Sequence, residues 1–291
     1  MTGVDERYLV GLIGADIGSS LSPPLHEREA DRHRIRYLYA LIDLTTLGLV
    51  AEDVGELVTA AHRLGFRGLN VTHPCKQEVL KYLDDLSPEA AELGAVNTVV
   101  FDRGRSVGYN TDRYGFAAGL ARALPGVSVD RVVLIGAGGA GAAVASAMAR
   151  TGARRLAVVD VDTERASRLA TALRRHGDLT VEVGTPADLP GLLTDADGLI
   201  NATPVGMEGH PGLPVAAEAL RPGLWVADIV YRPLETELLR AARDHGCRTA
   251  SGGGMVVSQA AEAFRLFTGR VPDEARMYRD FVELSGGGGD A

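Results

Sequence analysis

Short apolar runs and longer stretches of helical period take turns along the chain. Tyr8-Leu9-Val10-Gly11-Leu12-Ile13-Gly14 is an apolar run closed by glycine, the pattern of a buried strand that hands its next residues to a loop. Ser19-Ser20-Leu21-Ser22-Pro23-Pro24 is that loop, and a helix is expected from about Leu25 to Arg34. The same alternation predicts a strand over 37–42, a helix over 50–64, a strand over 68–71 and a helix over 74–86. Two short strands, Thr98–Phe101 and Ser106–Gly108, bracket the turn Asp102-Arg103-Gly104-Arg105.

A second series opens at Arg131-Val132-Val133-Leu134-Ile135, which runs straight into Gly136-Ala137-Gly138-Gly139-Ala140-Gly141. An alanine-rich helix should follow to Thr151, where Gly152 stops it. Further strands are expected at 156–159, ending in Asp160, and at 198–201, 225–230 and 247–250. A long amphipathic helix over 255–268 and a shorter one over 273–284 close the pattern. Strand and helix alternating in this way predict an α/β fold of two domains. An α/β substrate domain with a mixed sheet, 1–112 and 253–285, would flank a Rossmann-like dinucleotide-binding domain, 113–252. Residues 286–291 are expected to be disordered. Gly252-Gly253-Gly254 and the segment around Thr111–Gly115 would be the two crossings and the hinge candidates.

Composition narrows the class. The chain has 291 residues, 46% hydrophobic and 23% charged, within the ordinary globular range. Its net charge of −8 argues against a nucleic-acid partner, which needs a concentrated basic face. No apolar stretch approaches a membrane span, and Met1-Thr2-Gly3-Val4-Asp5-Glu6-Arg7 lacks the basic start and apolar core of a signal peptide. A cytoplasmic protein, monomer or homodimer, with a small-molecule substrate is the expectation. Cys75 and Cys247 are too far apart in sequence to suggest a metal motif or disulfide framework. His26, His62, His176, His210 and His245 show no ligand spacing, so no metal is expected.

The fragment Gly136-x-Gly138-x-x-Gly141 lies between an apolar strand and an alanine-rich helix, the context in which it binds a dinucleotide. The first glycine permits a tight turn, the second lets pyrophosphate approach the backbone, and the third packs helix against strand. Gly136, Ala137, Gly138, Gly139 and Ala140 would then meet the phosphates at a helix N-terminus. Asp160, ending the second strand, is placed to accept hydrogen bonds from the adenosine ribose. A carboxylate about 4 Å from a 2′-phosphate is repelled by roughly 4 kcal/mol per unit charge at an effective dielectric of about 20. The residues that follow are Val161 and Asp162, with Arg165 one turn on, so NAD is expected in preference to NADP.

Lysine occurs only twice against 28 arginines, and one of the two, Lys76, closes Asn70-Val71-Thr72-His73-Pro74-Cys75-Lys76. An ammonium can lose its proton when desolvated, which a guanidinium effectively cannot, so Lys76 is a candidate acid/base. Pro74 at a first helical position would put Lys76 in a helix's first turn, where the dipole disfavours an added positive charge.

Further polar clusters are Ser20-x-Ser22-Pro23, Gly94-Ala95-Val96-Asn97-Thr98 and Asn110-Thr111-Asp112. Later come Asn201-Ala202-Thr203-Pro204-x-Gly206-Met207, Asp228-Ile229-Val230-Tyr231 and Gln259-Ala260 before Phe264. In this order, and with the Lys76 and glycine motifs, the chain resembles the shikimate dehydrogenase family over nearly its whole length. Within it, the NAD-dependent quinate/shikimate branch is the most similar.

The resemblance implies reversible, NAD-dependent oxidation of the C3 hydroxyl of quinate or shikimate to the 3-dehydro ketone. Lys76 and Asp112 would be the catalytic pair. Ser20, Ser22 and Tyr231 would hold the substrate carboxylate, and Thr72, Asn97 and Gln259 the ring hydroxyls. Asn201, Thr203, Pro204, Gly254 and Met255 would join the glycine loop in binding the cofactor. An alcohol oxidation of this kind needs a base on the hydroxyl as well as a hydride acceptor, which suits a lysine and carboxylate that titrate jointly. Three departures are visible. Asp16-Ile17-Gly18-Ser19 stands where many biosynthetic members carry Pro-Ile-x-His before the serine motif. Asp160-Val161-Asp162 stands where many biosynthetic members carry an Asn-Arg-Thr phosphate clamp, and His73 replaces an aliphatic residue. The alternatives are a dehydrogenase for an aminated ring acid and, in a different class, a non-catalytic nucleotide sensor.

Overall fold

The computed structural model describes residues 6–174 and 179–286. It divides into two compact units, one running through Thr111 and resuming at Gln259, the other Asp112–Ser258. The tail beyond Gly286, the first five residues and His176 lie outside the described residues.

The first unit is built on β1 (Arg7–Gly14), α1 (Ser22–Arg32), β2 (Arg36–Asp43), α2 (Leu44–Leu47), α3 (Val54–Arg63), β3 (Gly68–Val71), β4 (Asp85–Leu86), α4 (Pro88–Leu93), β5 (Thr98–Asp102) and β6 (Arg105–Tyr109). The six strands form one sheet in the order β2-β1-β3-β5-β6-β4. β5 runs antiparallel to β3 and β6, and the other pairings are parallel, so the sheet is mixed as expected. One core lies on a face with Ile13, Leu69, Val71 and Val99 packed under α3, and another on the opposite face with Val10, Leu12, Val100 and Phe267.

The second unit begins with α5 (Asp112–Ala123) and continues with β7 (Arg131–Ile135), α6 (Gly139–Thr151), β8 (Arg155–Val159), α7 (Thr163–Leu173), β9 (Thr180–Gly184), α8 (Leu189–Leu193), β10 (Gly198–Asn201), β11 (Trp225–Asp228), α9 (Glu237–Asp244) and β12 (Arg248–Ala250). Its sheet is wholly parallel, in the order β12-β11-β10-β7-β8-β9. This is the doubly wound order with its switch point between β7 and β10. Both faces of the sheet are buried, which explains strands that read as continuous apolar runs. Gly198 leaves room for Trp225, whose indole N–H donates to the Ser128 carbonyl at 2.7 Å.

α10 (Gly252–Thr268) and α11 (Glu274–Leu284) complete the chain. α11 is joined to α1 by ion pairs around Glu29, a carboxylate with no exposed surface. Arg276 reaches it at 2.9 Å, His33 at 3.1 Å and the Asp273 N–H at 3.0 Å. Arg32 also forms a salt bridge with Asp280, and that guanidinium holds the Asp280 carboxyl below the usual carboxylate range.

Two expectations need correction. No α-helix forms over 74–86. The chain turns at 73–77, with Cys75 N–H donating to the Thr72 carbonyl at 2.8 Å, and then makes a 3-10 helix, Glu78–Tyr82. Asp84 accepts the Ser106 N–H at 2.7 Å and donates its own N–H to the Ser106 carbonyl at 3.1 Å, drawing 85–86 alongside β6 as a strand. Lys76 therefore stands in a turn, and the helix-dipole argument for its proton affinity lapses.

Gly252-Gly253-Gly254 is not a loop but the first turn of α10. A Cβ on Gly252 would lie 2.2 Å from the Ile229 carbonyl oxygen, and one on Gly119 of α5 would lie 2.7 Å from the Gly254 carbonyl carbon. Small residues are needed there because backbones touch, a reason unrelated to hinging. The other expected crossing, around Thr111–Gly115, contains the division between the units, and Asp112 there opens the twelve-residue helix α5.

Candidate active site

In the first unit, chain direction gathers the candidate residues on one edge of the sheet. β1, β3 and β6 are mutually parallel, and the loops leaving their C-terminal ends carry Ser20 and Ser22, Thr72 and Lys76, and Thr111. β5 runs the other way, so its entry, Asn97, sits on that same edge. The loops are cross-tied: Thr72 N–H donates to the Ile13 carbonyl at 2.9 Å, Val71 N–H to Asn97 at 2.8 Å, and Val96 N–H to the Lys76 carbonyl at 2.8 Å. Gly14 permits the closest of these approaches, since a Cβ on it would meet the Thr72 methyl at 2.3 Å.

Ser22 is the first residue of α1, and its N–H donates to Ser20 Oγ at 3.2 Å. Two hydroxyls at the N-terminus of an eleven-residue helix, where the helix dipole favours negative charge, suit a carboxylate.

Asn97 is buried and held from several sides. Its Oδ1 accepts the Thr111 N–H at 2.8 Å and the Thr98 hydroxyl at 3.1 Å, while its Nδ2 donates to Thr111 Oγ1 at 3.0 Å. The motifs contained Asn70 and Thr98 without assigning them work. Tyr39, which donates to Asn70, lies outside every motif, although Tyr37 and Tyr39 at strand spacing in β2 mark one face of the sheet.

The second unit carries the glycine loop at the C-terminal end of β7. Gly136 has φ of +103°, a conformation costly for other residues, and a Cβ on Gly141 would lie 2.0 Å from the Gly136 oxygen. At Gly138 and Gly139 a Cβ would meet nothing within 4 Å. The first and third glycines thus serve the fold and the second leaves a cradle open above the α6 N-terminus, which has no side-chain cap. A pyrophosphate fits that arrangement. Ala137 is buried within the loop and Ala140 lies in the first turn of α6.

Asp160, at the end of β8, is buried, with Oδ2 accepting the Ala137 N–H at 2.7 Å and Oδ1 the Asp162 N–H at 2.9 Å. Each carboxylate oxygen has a second lone pair for a ribose hydroxyl. Asp162 caps α7 through the Arg165 N–H and pairs with the Arg165 guanidinium at 3.3 Å, and those bonds hold its carboxyl below the usual range.

Asn201 was expected to touch the cofactor, and its side chain is occupied elsewhere. Nδ2 donates to the Val205 carbonyl and to Asp228 Oδ1, both at 3.0 Å, and Oδ1 accepts the Thr203 N–H at 3.1 Å and hydroxyl at 2.7 Å. All four amide positions are filled in a fully buried residue, so Asn201 shapes the loop that presents Thr203 and Pro204. Asp228 accepts in addition the Val230 N–H at 3.0 Å and the Thr236 hydroxyl at 2.7 Å. It thereby ties that loop to the one leading to exposed Tyr231, and burial pushes its carboxyl above the usual range. Gly254 meets Gly119 of α5, and Met255 packs against the core beside α5. Lys76 and Gln259 belong to the first unit, whereas Asp112 opens the second and is its first helical residue.

A doubly wound parallel sheet with an open glycine cradle, next in the chain to a mixed sheet with polar loops on one edge, defines a nucleotide-dependent oxidoreductase. The chain belongs to the shikimate dehydrogenase family. Residues 12–99 match the family model of the shikimate dehydrogenase substrate binding domain, 120–206 that of shikimate/quinate 5-dehydrogenase, and 252–279 that of the shikimate 5'-dehydrogenase C-terminal domain. A shikimate dehydrogenase (NADP(+)) of Streptomyces avermitilis is 62% identical, over 97% of each chain. A quinate/shikimate dehydrogenase (NAD(+)) of Corynebacterium glutamicum is 44% identical, over 97% of this chain and 100% of its own length. The structure of quinate dehydrogenase from Corynebacterium glutamicum in complex with NAD superposes with a TM-score of 0.91 at 44% identity, covering 96% of this chain and 99% of that one. No helix among the described residues is long and apolar enough to cross a membrane.

Proposed function

We propose that the protein is a cytoplasmic NAD-dependent dehydrogenase that reversibly oxidises the C3 hydroxyl of shikimate, quinate or both to the 3-dehydro ketone. The observation that carries this reading is the single sheet edge on which Ser20, Ser22, Thr72, Lys76 and Asn97 converge. The first unit, with the chain from α10 onwards, would hold the ring acid, and the second the dinucleotide. Ser20 and Ser22, helped by Tyr231, receive the carboxylate, and Thr72, Asn97 and Gln259 the ring hydroxyls. Lys76 takes the proton from the reacting hydroxyl, with Asp112 as its partner in charge and orientation. Bound NAD would supply the hydride acceptor, its pyrophosphate over Gly138 and its adenosine ribose at Asp160, with Thr203, Pro204, Gly254 and Met255 on the nicotinamide side. An aminated ring substrate is less well served: Asn97 Oδ1 already accepts two donors and would meet an ammonium poorly.

NADP is a second reading, and one observation favours it. The Asp160 carboxylate is turned into backbone hydrogen bonds, and the 62% identical Streptomyces avermitilis relative is named for NADP(+). Against it stand the acidic pair Asp160 and Asp162 where a 2′-phosphate would lie.

Steady-state kinetics with shikimate and quinate, each with NAD and NADP, tests the reading, together with Lys76→Ala. The variant should lose turnover by roughly 10²-fold or more while keeping NAD affinity. A Lys76→Ala protein that still turns over ring acids at the wild-type rate would remove the mechanism, and a wild type that binds NAD without oxidising either acid would point to a sensor.

A further inference from the structure

A row of hydrogen bonds runs through the first unit from β2 to the loop after β6. The Tyr39 hydroxyl donates to Asn70 Oδ1 at 2.7 Å. Asn70 Nδ2 donates to Thr98 Oγ1 at 3.0 Å and to the Asn97 carbonyl at 3.3 Å. Thr98 passes its own proton to Asn97 Oδ1 at 3.1 Å, and the Thr111 N–H reaches the same oxygen at 2.8 Å.

The direction of each bond is determined. A backbone carbonyl only accepts and a backbone N–H only donates, so the Asn97 carbonyl sets which way the Asn70 amide faces, and the Thr111 N–H sets the Asn97 amide. With Asn70 so oriented, its Oδ1 calls for a donor, and Tyr39 is the donor there. Tyr39 is itself anchored. It is buried in β2, its N–H is bound by Glu27 Oε1 at 2.9 Å, and its ring meets the edge of His26 at a centroid distance of 5.0 Å.

We propose that Tyr39 is a positioning residue for the ring acid, acting on Asn97 through Asn70 and Thr98. The inference rests on the assignment of Asn97 to the substrate. A phenol held on a strand keeps Asn70 Oδ1 paired. Asn70 then keeps the Thr98 oxygen supplied with a donor, so that the Thr98 proton stays on Asn97. The Asn97 amide is thereby fixed in one orientation, with its Nδ2 toward Thr111 Oγ1 at 3.0 Å. The network holds the side chains before the substrate arrives, which lowers the ordering cost of binding.

The test is a double-mutant cycle with Tyr39→Phe and Thr98→Val, read with shikimate and quinate under saturating NAD. Each single variant should raise KM for the ring acid about tenfold, the cost of one buried hydrogen bond of roughly 1.4 kcal/mol, with kcat within about threefold of wild type. KM for NAD should not move. The double variant should be little worse than either single, because both cut the same row.

Multiplying effects in the double variant, or a single variant with unchanged KM for the ring acid, would overturn the proposal. A parallel loss of NAD affinity would also overturn it, since that marks general damage. If Tyr39→Phe fails to fold, Thr98→Val alone decides, on the same split between the two KM values. A wild type inactive on both acids defeats the functional assignment and this inference together, whereas an active wild type with indifferent variants defeats only this one.

Discussion

The carboxylate of Asp160 accepts the backbone N–H of Ala137 at 2.7 Å, so the residue proposed to receive the adenosine ribose also braces the glycine loop. Asp160→Asn keeps the size of the side chain and removes its charge. The ratio of kcat/KM with NAD to that with NADP should fall by about tenfold or more, since the repulsion of a 2′-phosphate, on the order of a few kcal/mol, disappears. Absolute affinity for both cofactors should fall as well, because an amide meets one of the two backbone N–H groups less well. An unchanged ratio would show that Asp160 has no part in cofactor choice.

Gly138 and Gly141 should separate binding from folding. A methyl group on Gly141 would sit 2.0 Å from the Gly136 oxygen, whereas one on Gly138 meets nothing within 4 Å. Gly141→Ala should therefore cost about 1–3 kcal/mol of stability and weaken NAD binding too. Gly138→Ala should leave the melting temperature within a degree or two while reducing NAD affinity, because the methyl group occupies the phosphate cradle. Thermal melts without cofactor and calorimetric NAD titrations check both, and a Gly138→Ala protein with normal affinity would argue against pyrophosphate at that point.

His26 gives a pH dependence of stability. It is buried among Tyr37, Tyr39 and Phe264, with Nδ1 at 3.1 Å from the Tyr37 hydroxyl, and burial lowers its pKa to about 3. In the unfolded chain the imidazole titrates near 6.5. Between these values the unfolded state binds a proton that the folded state refuses. His26 therefore contributes stability that is full above about pH 6.5 and is lost as pH falls toward 3, at up to about 1.4 kcal/mol per unit. Urea midpoints from pH 7 to 4.5 should fall less steeply in His26→Gln than in wild type, and identical slopes would mean that His26 is not buried neutral.

Glu29 depends on its partners. Arg276→Leu removes the guanidinium at 2.9 Å from a carboxylate with no exposed surface. The loss should be about 2 kcal/mol by urea denaturation, less than for breaking a fully enclosed pair, because Arg276 is partly exposed and Arg32 remains at 3.7 Å. Glu29→Gln in the Arg276→Leu background should recover part of it. A recovery of nothing would place the cost in lost packing by the arginine stem.

Much of the fold was legible from periodicity. The runs Tyr8–Gly14 and Arg131–Ile135 became central strands, and Gly152, with φ of +99°, ends α6 where the sequence predicts. The helix expected over 74–86 failed because Asp84 and Ser106, remote in sequence, pull that segment into the sheet. α5 was not foreseen, since Gly115 and Gly119 on its buried face look like breakers, and only the structure shows that the backbone of α10 needs the space at Gly119. At the candidate site the residue types were visible as motifs, but their division of labour was not. Asn201 looks like a ligand in sequence, and its four filled hydrogen-bond positions make it a builder of the loop.

Sequence alone determined most of the strands of both sheets, the glycine cradle with its conformational demands, and the set of hydroxyl, amide, amine and carboxylate groups available for chemistry. These follow from local preferences and from the period with which apolar side chains must face a core. Only the tertiary structure decided which of those groups are spent on one another, as Tyr39 is on Asn70 and Asp228 on Asn201 and Thr236. Hydrogen bonds saturate over about 3 Å, and strands far apart in the chain come within that distance only when the sheet has formed.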